Sequence, residues 1–319
     1  MFSRPDEFEA AMRAECSLDL VPTPSGRFRV KLTQMKFEGT NVSGIEENQP
    51  RIIIVKVPHN KVLATLCLSD GSAQKWGSLQ THSGDLTIVG PDQTIHASTE
   101  RPCYWGVVWL PVADFIRYGA VLTEDVATLS DKVRVWRPSA SLYRQLRRLF
   151  TTAIRAAHIQ AEALMANRAS HGLEQQLLHG LFDCLSGQPS QTETAVQLGR
   201  RELMGRIERL VGTEPVGRIG AAHVAAALGV SASVLRYCCE DVIGMSLRQY
   251  LELRQMKLVH RDLHGADWGT LSVTEVARRH GFHDFARFAA AYRMLFNEPP
   301  ALTIRQHRQR MRPPAANRR

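Results

Sequence analysis

Residues 276–296 of the 319-residue chain read VARRHGFHDFARFAAAYRMLF, a basic stretch with a glycine in its first half. The letters before Gly281 have the pattern of a short helix, and those after Asp284 repeat an apolar residue every three or four positions, as one face of a helix does. A similar arrangement occurs at residues 224–240, which read VAAALGVSASVLRYCCE. Both stretches therefore predict two helices joined by a tight turn at a glycine.

A helix-turn-helix needs a small residue in its first helix, a glycine in the turn and a capping residue before its second helix. The two stretches supply these in order: Ala225, Gly229 and Ser231, then Ala277, Gly281 and Asp284. The helix expected between them, 247–263, would be about 25 Å long at 1.5 Å per residue. Such a spacer sets two recognition helices about one DNA turn, roughly 34 Å, apart. The sequence therefore predicts a double helix-turn-helix that enters two successive major grooves.

The net charge of +9 lies entirely in the last third of the chain. Residues 200–319 contain 20 Lys and Arg against 11 Asp and Glu, whereas the first 199 residues carry 20 of each kind. A basic region joined to a neutral one favours two tasks, the basic one involving a polyanion. We therefore expect the helix-turn-helix region to bind double-stranded DNA.

The N-terminal region has the pattern of short strands. Residues 28–37 alternate apolar and polar side chains, residues 51–57 resemble a buried strand, and Gly, Asp and Pro separate similar segments up to about residue 135. Residues 82–98, HSGDLTIVGPDQTIHAS, have the Gly-Asp, Pro and His order of a cupin-like strand pair. We therefore predict a cupin-like β-barrel over residues 1–138.

Two segments that each have an apolar stripe along one helix face follow the strands; we call them the two helical stripes. Apolar residues recur at steps of three and four over 142–157 and over 173–185, which predicts a helical hairpin at 139–185. The hairpin packs on the barrel or pairs with a second copy of the protein. Residues 186–197 lack apolar periodicity and predict a linker, which leaves 198–319 for the DNA-binding domain. The expected fold class is α+β multidomain, with an all-α C-terminal domain.

Residues of about 200 to 310 resemble the AraC/XylS family of bacterial transcription regulators. The resemblance rests on LGVSASVLRYCCEDVIGMS (228–246), on YLELRQMKLVHRDL (250–263), and on the Gly281–Phe282 pair with Phe288 six residues after Phe282. The segment RFAAAYRMLFNEPPALT (287–303) is most similar to the ethanolamine-operon regulator branch. The resemblance implies a sequence-specific DNA-binding regulator whose N-terminal domain senses a small molecule and often mediates homodimerisation. Its partners would be promoter half-sites, with RNA polymerase a further candidate.

The resemblance places the DNA contacts on the second helix of each unit. Arg236 keeps the planar fork that grips a guanine edge, whereas Tyr237 stands where the family often has an Arg. The second recognition helix presents mostly apolar positions and lacks a common Arg at Ala290, so we expect it to hold phosphates rather than read bases. The candidate DNA-binding residues are Ser231, Ser233, Arg236, Tyr237, His283, Phe285, Ala286, Arg287 and Arg293.

The candidate effector-binding residues of the N-terminal domain are Trp76, His82, His96 and Trp105. Aromatic side chains with a few polar groups line many ligand pockets, although such aromatics also form plain core. The His-x-His cluster of metal-binding cupins is missing, so we expect no metal, no cofactor and no enzymatic activity. Two alternatives stay open: a cupin-type metal-dependent enzyme fused to a DNA-binding domain, and an architectural protein that binds DNA without sequence preference.

Cysteine usage and hydropathy indicate the compartment. The six cysteines form no Cys-x-x-Cys pair, which is typical of reduced thiols rather than of a disulfide framework or a zinc site. No apolar run approaches the roughly 18 residues of a membrane helix, and the N-terminal MFSRPDEFEAAMR is charged where a signal peptide is apolar. We therefore expect a cytoplasmic protein without a membrane partner.

Overall fold

The computed structural model describes residues 1–21, 23, 28–71, 73–120, 129–159, 167–213, 219–264 and 272–310. The chain divides into two compact units. The first comprises Met1–Leu20 and Phe28–Glu202, and the second comprises Val21–Arg27 and Leu203–Arg319. The first unit holds the strands expected before residue 135, and the second holds the helices expected after residue 200.

Two antiparallel sheets form the first unit after a short helix, α1 (Pro5–Met12). The strands are β1 (Ser17–Val21), β2 (Val30–Lys36), β3 (Asn41–Glu47), β4 (Arg51–Lys56), β5 (Lys61–Cys67), β6 (Ala73–Trp76), β7 (Leu79–His82), β8 (Leu86–Val89), β9 (Thr94–Thr99), β10 (Cys103–Pro111), β11 (Arg134–Trp136) and β12 (Gln191–Thr192). One sheet has the order β1-β4-β9-β6-β7, and the other has the order β12-β11-β8-β5-β10-β3-β2. The sheets expected from the sequence are confirmed, and they do not close into a continuous barrel.

One hydrophobic core lies between the two sheets. Because alternate residues of a strand point to opposite faces, each strand contributes every second side chain to it. Ile53 of β4 and Ile95 of β9 share this core with Ile45 of β3 and Val107 of β10. The strand pattern read from the sequence therefore corresponds to a two-layer arrangement.

Helices cover the outer face of the seven-stranded sheet. They are α2 (Val112–Gly119), α3 (Ala140–Ile159) and α4 (Asn167–Cys184). Leu66 and Val108 of the sheet share a core with Leu146, Phe150 and Leu178 of α3 and α4. A Cβ atom at Gly106 of β10 would lie 2.7 Å from Phe150 Cζ, so glycine allows α3 this close to the sheet. The two helical stripes thus pack within the chain, and pairing with a second copy stays a prediction.

The segment predicted as a linker, 186–197, carries regular structure. Strand β12 pairs with β11, and α5 (Ala195–Thr213) begins inside the segment. Glu193 is buried and accepts from Arg201 Nε, with both Nε–O distances at 3.1 Å. A polar contact rather than an apolar helix face fixes this segment on the first unit. Hydrophobic periodicity therefore did not predict its regular structure.

The second unit is helical. After α5 come α6 (Ala221–Leu228), α7 (Ala232–Ile243), α8 (Leu247–Leu263), α9 (Val273–Arg279), α10 (Phe285–Phe296) and α11 (Pro300–Arg310). Helix α8 has the expected bounds, 247–263, and α11 was not expected. Met256 and Val259 of α8 form one core with Val276, Phe288 and Tyr292 of the following helices.

Candidate nucleic-acid interface

The first helix-turn-helix consists of α6 and α7. Helix α6 ends at Gly229, whose φ of +67° lies in the left-handed region that glycine adopts without strain. Ser231 then caps α7, its hydroxyl accepting a hydrogen bond from Val234 N–H at 3.2 Å. The two helices are bent by 105° at this turn, within the about 90–120° typical of the motif. Ser231 therefore serves the turn as a helix cap.

Helix α7 divides into a buried face and an exposed face. The buried residues are Leu235, Cys238, Cys239, Val242 and Ile243. Ser233, Arg236 and Tyr237 lie together on the opposite, exposed face. The structure thus brings three of the predicted DNA-binding residues onto one accessible surface.

Arg236 is held in position by its neighbours on α7. Its guanidinium lies 4.3 Å over the ring of Tyr237, and its Nη1 lies 3.5 Å from Glu240 Oε2. Tyr237 and then Glu240 raise the pKa of Arg236, so the side chain stays cationic. Ion pairs between exposed side chains are weak, so Glu240 holds the guanidinium only loosely. Sequence analysis missed Glu240, although an acidic residue four positions after Arg236 signals such a pair.

The second helix-turn-helix consists of α9 and α10. A capping box starts α9: Ser272 Oγ accepts from Glu275 N–H at 3.2 Å, and Glu275 Oε2 accepts from Ser272 N–H at 2.7 Å. These hydrogen bonds from Ser272 lower the pKa of Glu275. Gly281 makes the turn with a φ of +86°, and Asp284 caps α10 by accepting from Arg287 N–H at 3.0 Å. Both glycine turns predicted from the sequence are present.

The exposed surface at α10 is sparsely polar, as expected. Its exposed residues include His283, Ala286, Arg287, Ala290, Arg293 and Met294. Phe285 differs from the prediction, because it is half-buried and packs against the core of the unit. The guanidinium of Arg278 lies 5.5 Å from the centre of the Phe285 ring. Arg278, which sequence analysis did not single out, therefore covers the place assigned to Phe285.

Helix α8 joins the two motifs and is fixed by buried polar contacts. Tyr250 Oη donates to Glu208 Oε1 at 2.5 Å, and Arg254 pairs with the same carboxylate at 2.9 Å. Near its other end, His260 Nδ1 lies 2.7 Å from Tyr292 Oη of α10. These contacts tie α8 to α5 and α10. The two recognition helices are therefore carried on one braced connector.

An open groove of about 420 Å³ runs between the two motifs. Residues Ile219–Ala221 line it at the start of α6, and Arg248 and Gln255 line it along α8. His283 and Arg287 line it on the side of the second motif. The groove places two predicted phosphate-binding residues near Arg248, a cation that the sequence analysis did not single out.

The four candidate effector-binding residues lie in different surroundings. Trp76 and Trp105 are buried in the core between the sheets, with ring centroids 5.9 Å apart. Ala97 pairs with Trp76 and points into this core, so the neighbouring His96 points to the opposite face of its strand. His82 is exposed at the end of β7. The structure thus brings the two tryptophans together and leaves the two histidines away from them.

A buried ion pair accompanies the tryptophans. Glu47 and Arg51 form a salt bridge with almost no exposure, and the guanidinium of Arg51 lies 4.4 Å from the centre of the Trp105 ring. Burial raises the pKa of Glu47 to about 7, although the charge of Arg51 opposes the shift. The sequence did not indicate this pair, in which Glu47 ends β3 and Arg51 begins β4.

Two features are absent from the described residues. These residues contain no group of three or more His, Cys, Asp or Glu side chains placed to hold a metal ion. They also contain no single helix long and apolar enough to cross a membrane, and by length and composition alone the bent pair α6–α7 would pass that test. That pair is the first helix-turn-helix.

Residues 224–306 match the family model described as a helix-turn-helix domain. Over 84 residues, 26% of this chain, the sequence is 33% identical to the probable thc operon regulatory protein of Rhodococcus erythropolis, and the match spans 25% of that protein. Among solved structures the chain is similar to the AraC-like transcriptional activator CuxR, with 11% identity, 88% of this chain and 96% of that one covered, and a TM-score of 0.44. It is also similar to ToxT from Vibrio cholerae, at 12% sequence identity and a TM-score of 0.31. The match covers 87% of this chain and 96% of the ToxT chain.

The matched region begins within α6 and ends within α11. It therefore contains both helix-turn-helix motifs, the connector α8 and the exposed faces of both recognition helices. The relative that it matches is itself described as a regulator of an operon. Residues 224–306 of this chain are therefore a helix-turn-helix domain.

Proposed function

We propose that the chain regulates transcription by placing its two motifs in two successive major grooves of DNA, under the control of a small molecule sensed by its first unit. The observation that carries the proposal is the pair of capped recognition helices, each with an exposed face, on the single connector α8. In this proposal the effector is sensed by residues 1–138, and the hairpin is formed by residues 139–185. Residues 186–197 connect the hairpin to the DNA-binding region, residues 198–319. Trp76 and Trp105 belong to the sensing part.

The two recognition helices divide the work. Helix α7 presents Arg236, whose parallel N–H donors match O6 and N7 of a guanine in the major groove. Helix α10 presents alanines together with His283, Arg287 and Arg293, which suit phosphate contacts better than base edges. We infer that the first motif supplies most of the sequence preference, with Ser233 and Tyr237 beside Arg236, and that the second anchors the protein on the backbone.

Three finer assignments belong to the same proposal. A homodimer would present two DNA-binding units to repeated half-sites. RNA polymerase would be the partner through which bound protein alters transcription. The likeness of residues 287–303 supports a place near the ethanolamine-operon regulators, and the genes that adjoin this one in the genome test that assignment.

Replacing Arg236 by alanine tests the division of work. We expect a cost of about 1–3 kcal/mol, or roughly 5- to 150-fold in Kd, on the preferred duplex, with relaxed preference at one or two base pairs. Arg287→Ala should weaken preferred and scrambled duplexes alike and lower the salt slope by about one, because it removes a phosphate contact. The measurement is a titration of the full chain against a duplex obtained by selection and a scrambled duplex, each at two salt concentrations.

Glu240→Gln is the matched control for Arg236→Ala. It removes the partner charge of Arg236 on α7 but leaves the guanidinium in place. We expect the preference for the selected duplex to be kept. If Arg236→Ala kept the preference while Arg287→Ala abolished it, the two helices would have the opposite roles. Equal affinity of the unmodified chain for both duplexes would favour an architectural protein.

The helical hairpin is expected to support a homodimer. Leu142, Leu149, Ala157 and Leu173 are only partly buried in the core that the hairpin forms with the sheet, so they leave apolar surface at its outer side. Sedimentation of the full chain at micromolar concentration should give the mass of two chains. Leu149→Glu places a charge on that surface and should shift the protein toward the monomer. A monomer in both cases would contradict the assignment.

A further inference from the structure

Two of the buried cysteines lie next to each other at one end of the core between the sheets. Cys67 ends β5, and Cys103 begins the neighbouring strand β10. The hydroxyl of Ser69 lies 3.7 Å from Cys67 Sγ and donates to Cys103 Sγ at 3.6 Å. The Cys67 thiol donates to the carbonyl oxygen of Ser69 at 3.2 Å. The chain thus places two sulfur atoms around one hydroxyl group.

The surroundings of the two sulfurs differ and shift the pKa values of the two thiols in opposite directions. The amide of Gln74, on the opposite sheet, donates to Cys103 Sγ at 3.0 Å. Hydrogen bonds from Cys67, Gln74 and Ser69 and the charge of Arg51 lower the pKa of the Cys103 thiol, against the effect of burial. The hydrogen bond to Cys103, together with burial, raises the pKa of the Cys67 thiol. Cys103, whose sulfur accepts from both Gln74 and Ser69, therefore has more thiolate character than Cys67.

The other described cysteines offer an internal contrast. Burial raises the pKa of Cys16, Cys184 and Cys239 to about 12. Because the thiolate is the reactive form of cysteine, these three are expected to be inert toward oxidants. We therefore expect the pair to react faster than these three thiols.

The pair lies close to the surface although its side chains are buried. Asp70 and Gly71, just after the end of β5, are exposed, and so are residues 100–102, just before Cys103. Ser69, which contacts both sulfurs, is itself partly exposed. A molecule as small as hydrogen peroxide therefore has only a short distance to travel from solvent to Cys103.

We propose that Cys67 and Cys103 form a peroxide-reactive pair that closes reversibly to a disulfide. The Cys103 thiolate attacks one oxygen of hydrogen peroxide, the O–O bond breaks, and the hydroxide released takes up a proton to become water, which leaves a sulfenic acid. Cys67 then loses its proton and attacks the Cys103 sulfur, the S–O bond breaks, and a second water leaves. The two thiols supply the two electrons that reduce the peroxide.

Helix α3 is attached to the strand end that carries Cys67. The hydroxyl of Tyr143 donates to the carbonyl oxygen of Cys67, and Arg147 Nη1 pairs with Asp70 Oδ1 at 2.6 Å. Cys67 lies opposite Trp105, so Cys103 is its diagonal neighbour on β10, at a typical Cα separation of about 7–8 Å. A disulfide requires the two Cα atoms to lie within about 7 Å with a defined torsion, so we expect closure to displace the Cys67 backbone. The displacement alters both contacts and is passed to α3. Its regulatory meaning rests on the proposed function, because α3 belongs to the predicted dimerisation hairpin.

The experiment treats the reduced full chain with hydrogen peroxide, alkylates the remaining thiols and maps the tryptic peptides by mass spectrometry. Trypsin cuts after Lys75, so Cys67 and Cys103 fall in separate peptides. We expect a Cys67–Cys103 disulfide that a dithiol reductant removes, formed about tenfold or more faster than Cys16 or Cys184 is oxidised. Oxidation of all thiols at similar rates, or a disulfide elsewhere, overturns the proposal.

Two variants separate the roles of the sulfurs. Cys67→Ser should stop the reaction at the sulfenic acid of Cys103, which dimedone labels, and Cys103→Ser should abolish both products. Sulfenic acid on Cys67 in the Cys103→Ser protein would overturn the assignment of the nucleophile. Cys184→Ser is the control and should react as the unmodified chain does. The peptide map uses the unmodified chain, so it tests for the Cys67–Cys103 disulfide even where a variant fails to fold.

Hydrogen exchange on the unmodified chain tests the link to α3. Oxidation is expected to lower the protection of the amides around Tyr143 and Arg147, while those of α9 and α10 keep theirs. Unchanged protection of α3 in the fully oxidised protein would overturn the link. Neither readout involves DNA, so failure here is distinguishable from failure of the proposed function.

Discussion

Replacing Phe288 by alanine is expected to destabilise the second helix-turn-helix by about 3–5 kcal/mol, enough to unfold α9 and α10. Phe288 is 2% exposed, and its ring centroid lies 5.1 Å from that of Phe282 and 5.7 Å from that of Tyr292. The substitution would leave a cavity between α9 and α10. Helices of 7 and 12 residues are marginal alone and depend on packing, so the loss is not absorbed elsewhere.

Hydrogen exchange of the α9 and α10 amides in the full chain measures this loss directly. Met294→Ala on the same helix is the matched control, because Met294 is 66% exposed and its truncation should change stability by less than about 0.5 kcal/mol. Protection that survives Phe288→Ala would show that the core of this motif lies elsewhere. A loss of similar size in Met294→Ala would show that the exposed face of α10 matters as much as the core, because alanine does not lower helix propensity.

The C-terminal unit was predictable because its signals are local. A glycine that must adopt a positive φ and a hydroxyl or carboxylate that caps the next helix stand within a few residues of the turn they make. Gly229 with Ser231, and Gly281 with Asp284, therefore specify both turns without reference to the rest of the chain. The bounds of the helices followed from the same signals. Helix α11 has such a signal too, since Pro300 occupies its first position.

Side-chain placement on the interface was less predictable. Periodicity assigns a residue to a face but does not say how far the neighbouring helix covers that face. Phe285 follows its cap as expected, yet α9 brings Arg278 over it and leaves it half-buried. The same limit applies to His96, whose direction depends on the register that pairs Ala97 with Trp76. Both placements depend on contacts with a different helix or strand, which apolar periodicity within one element does not show.

The contacts around the predicted linker show the same limit on a larger scale. Glu193 N–H donates to the carbonyl oxygen of Val133 at 3.0 Å, and Val133 N–H donates to Glu193 Oε2 at 3.3 Å. Arg201 donates to the same carboxylate and to the carbonyl oxygen of Asp131. Partners 60 to 70 residues apart in sequence leave no periodic signal. A polar segment of this kind therefore resembles a linker until the fold is known.

Replacing Arg201 by methionine is expected to destabilise the first unit by about 3–5 kcal/mol, because it leaves the carboxylate of Glu193 buried without its counter-charge. The Glu193 side chain has no exposed surface and that of Arg201 has 7%. Methionine fills most of the volume of the arginine side chain, so the loss of stability reports on the missing charge rather than on a cavity. Urea unfolding followed by tryptophan fluorescence measures it, since four of the five tryptophans precede residue 137.

The double variant Arg201→Met with Glu193→Gln separates the charge from the hydrogen bonds. Glutamine still accepts from Val133 N–H but carries no charge, so we expect the double variant to recover most of the stability lost in Arg201→Met. Arg117→Met is the control at an exposed pair, where Arg117 lies 2.8 Å from Asp114 and is 69% exposed, and it should cost less than about 1 kcal/mol. If Arg201→Met cost no more than Arg117→Met, the start of α5 would be held by the strand pairing of β12 alone. If the double variant were as unstable as the single one, the hydrogen bonds of Arg201, rather than the buried charge of Glu193, would account for the loss.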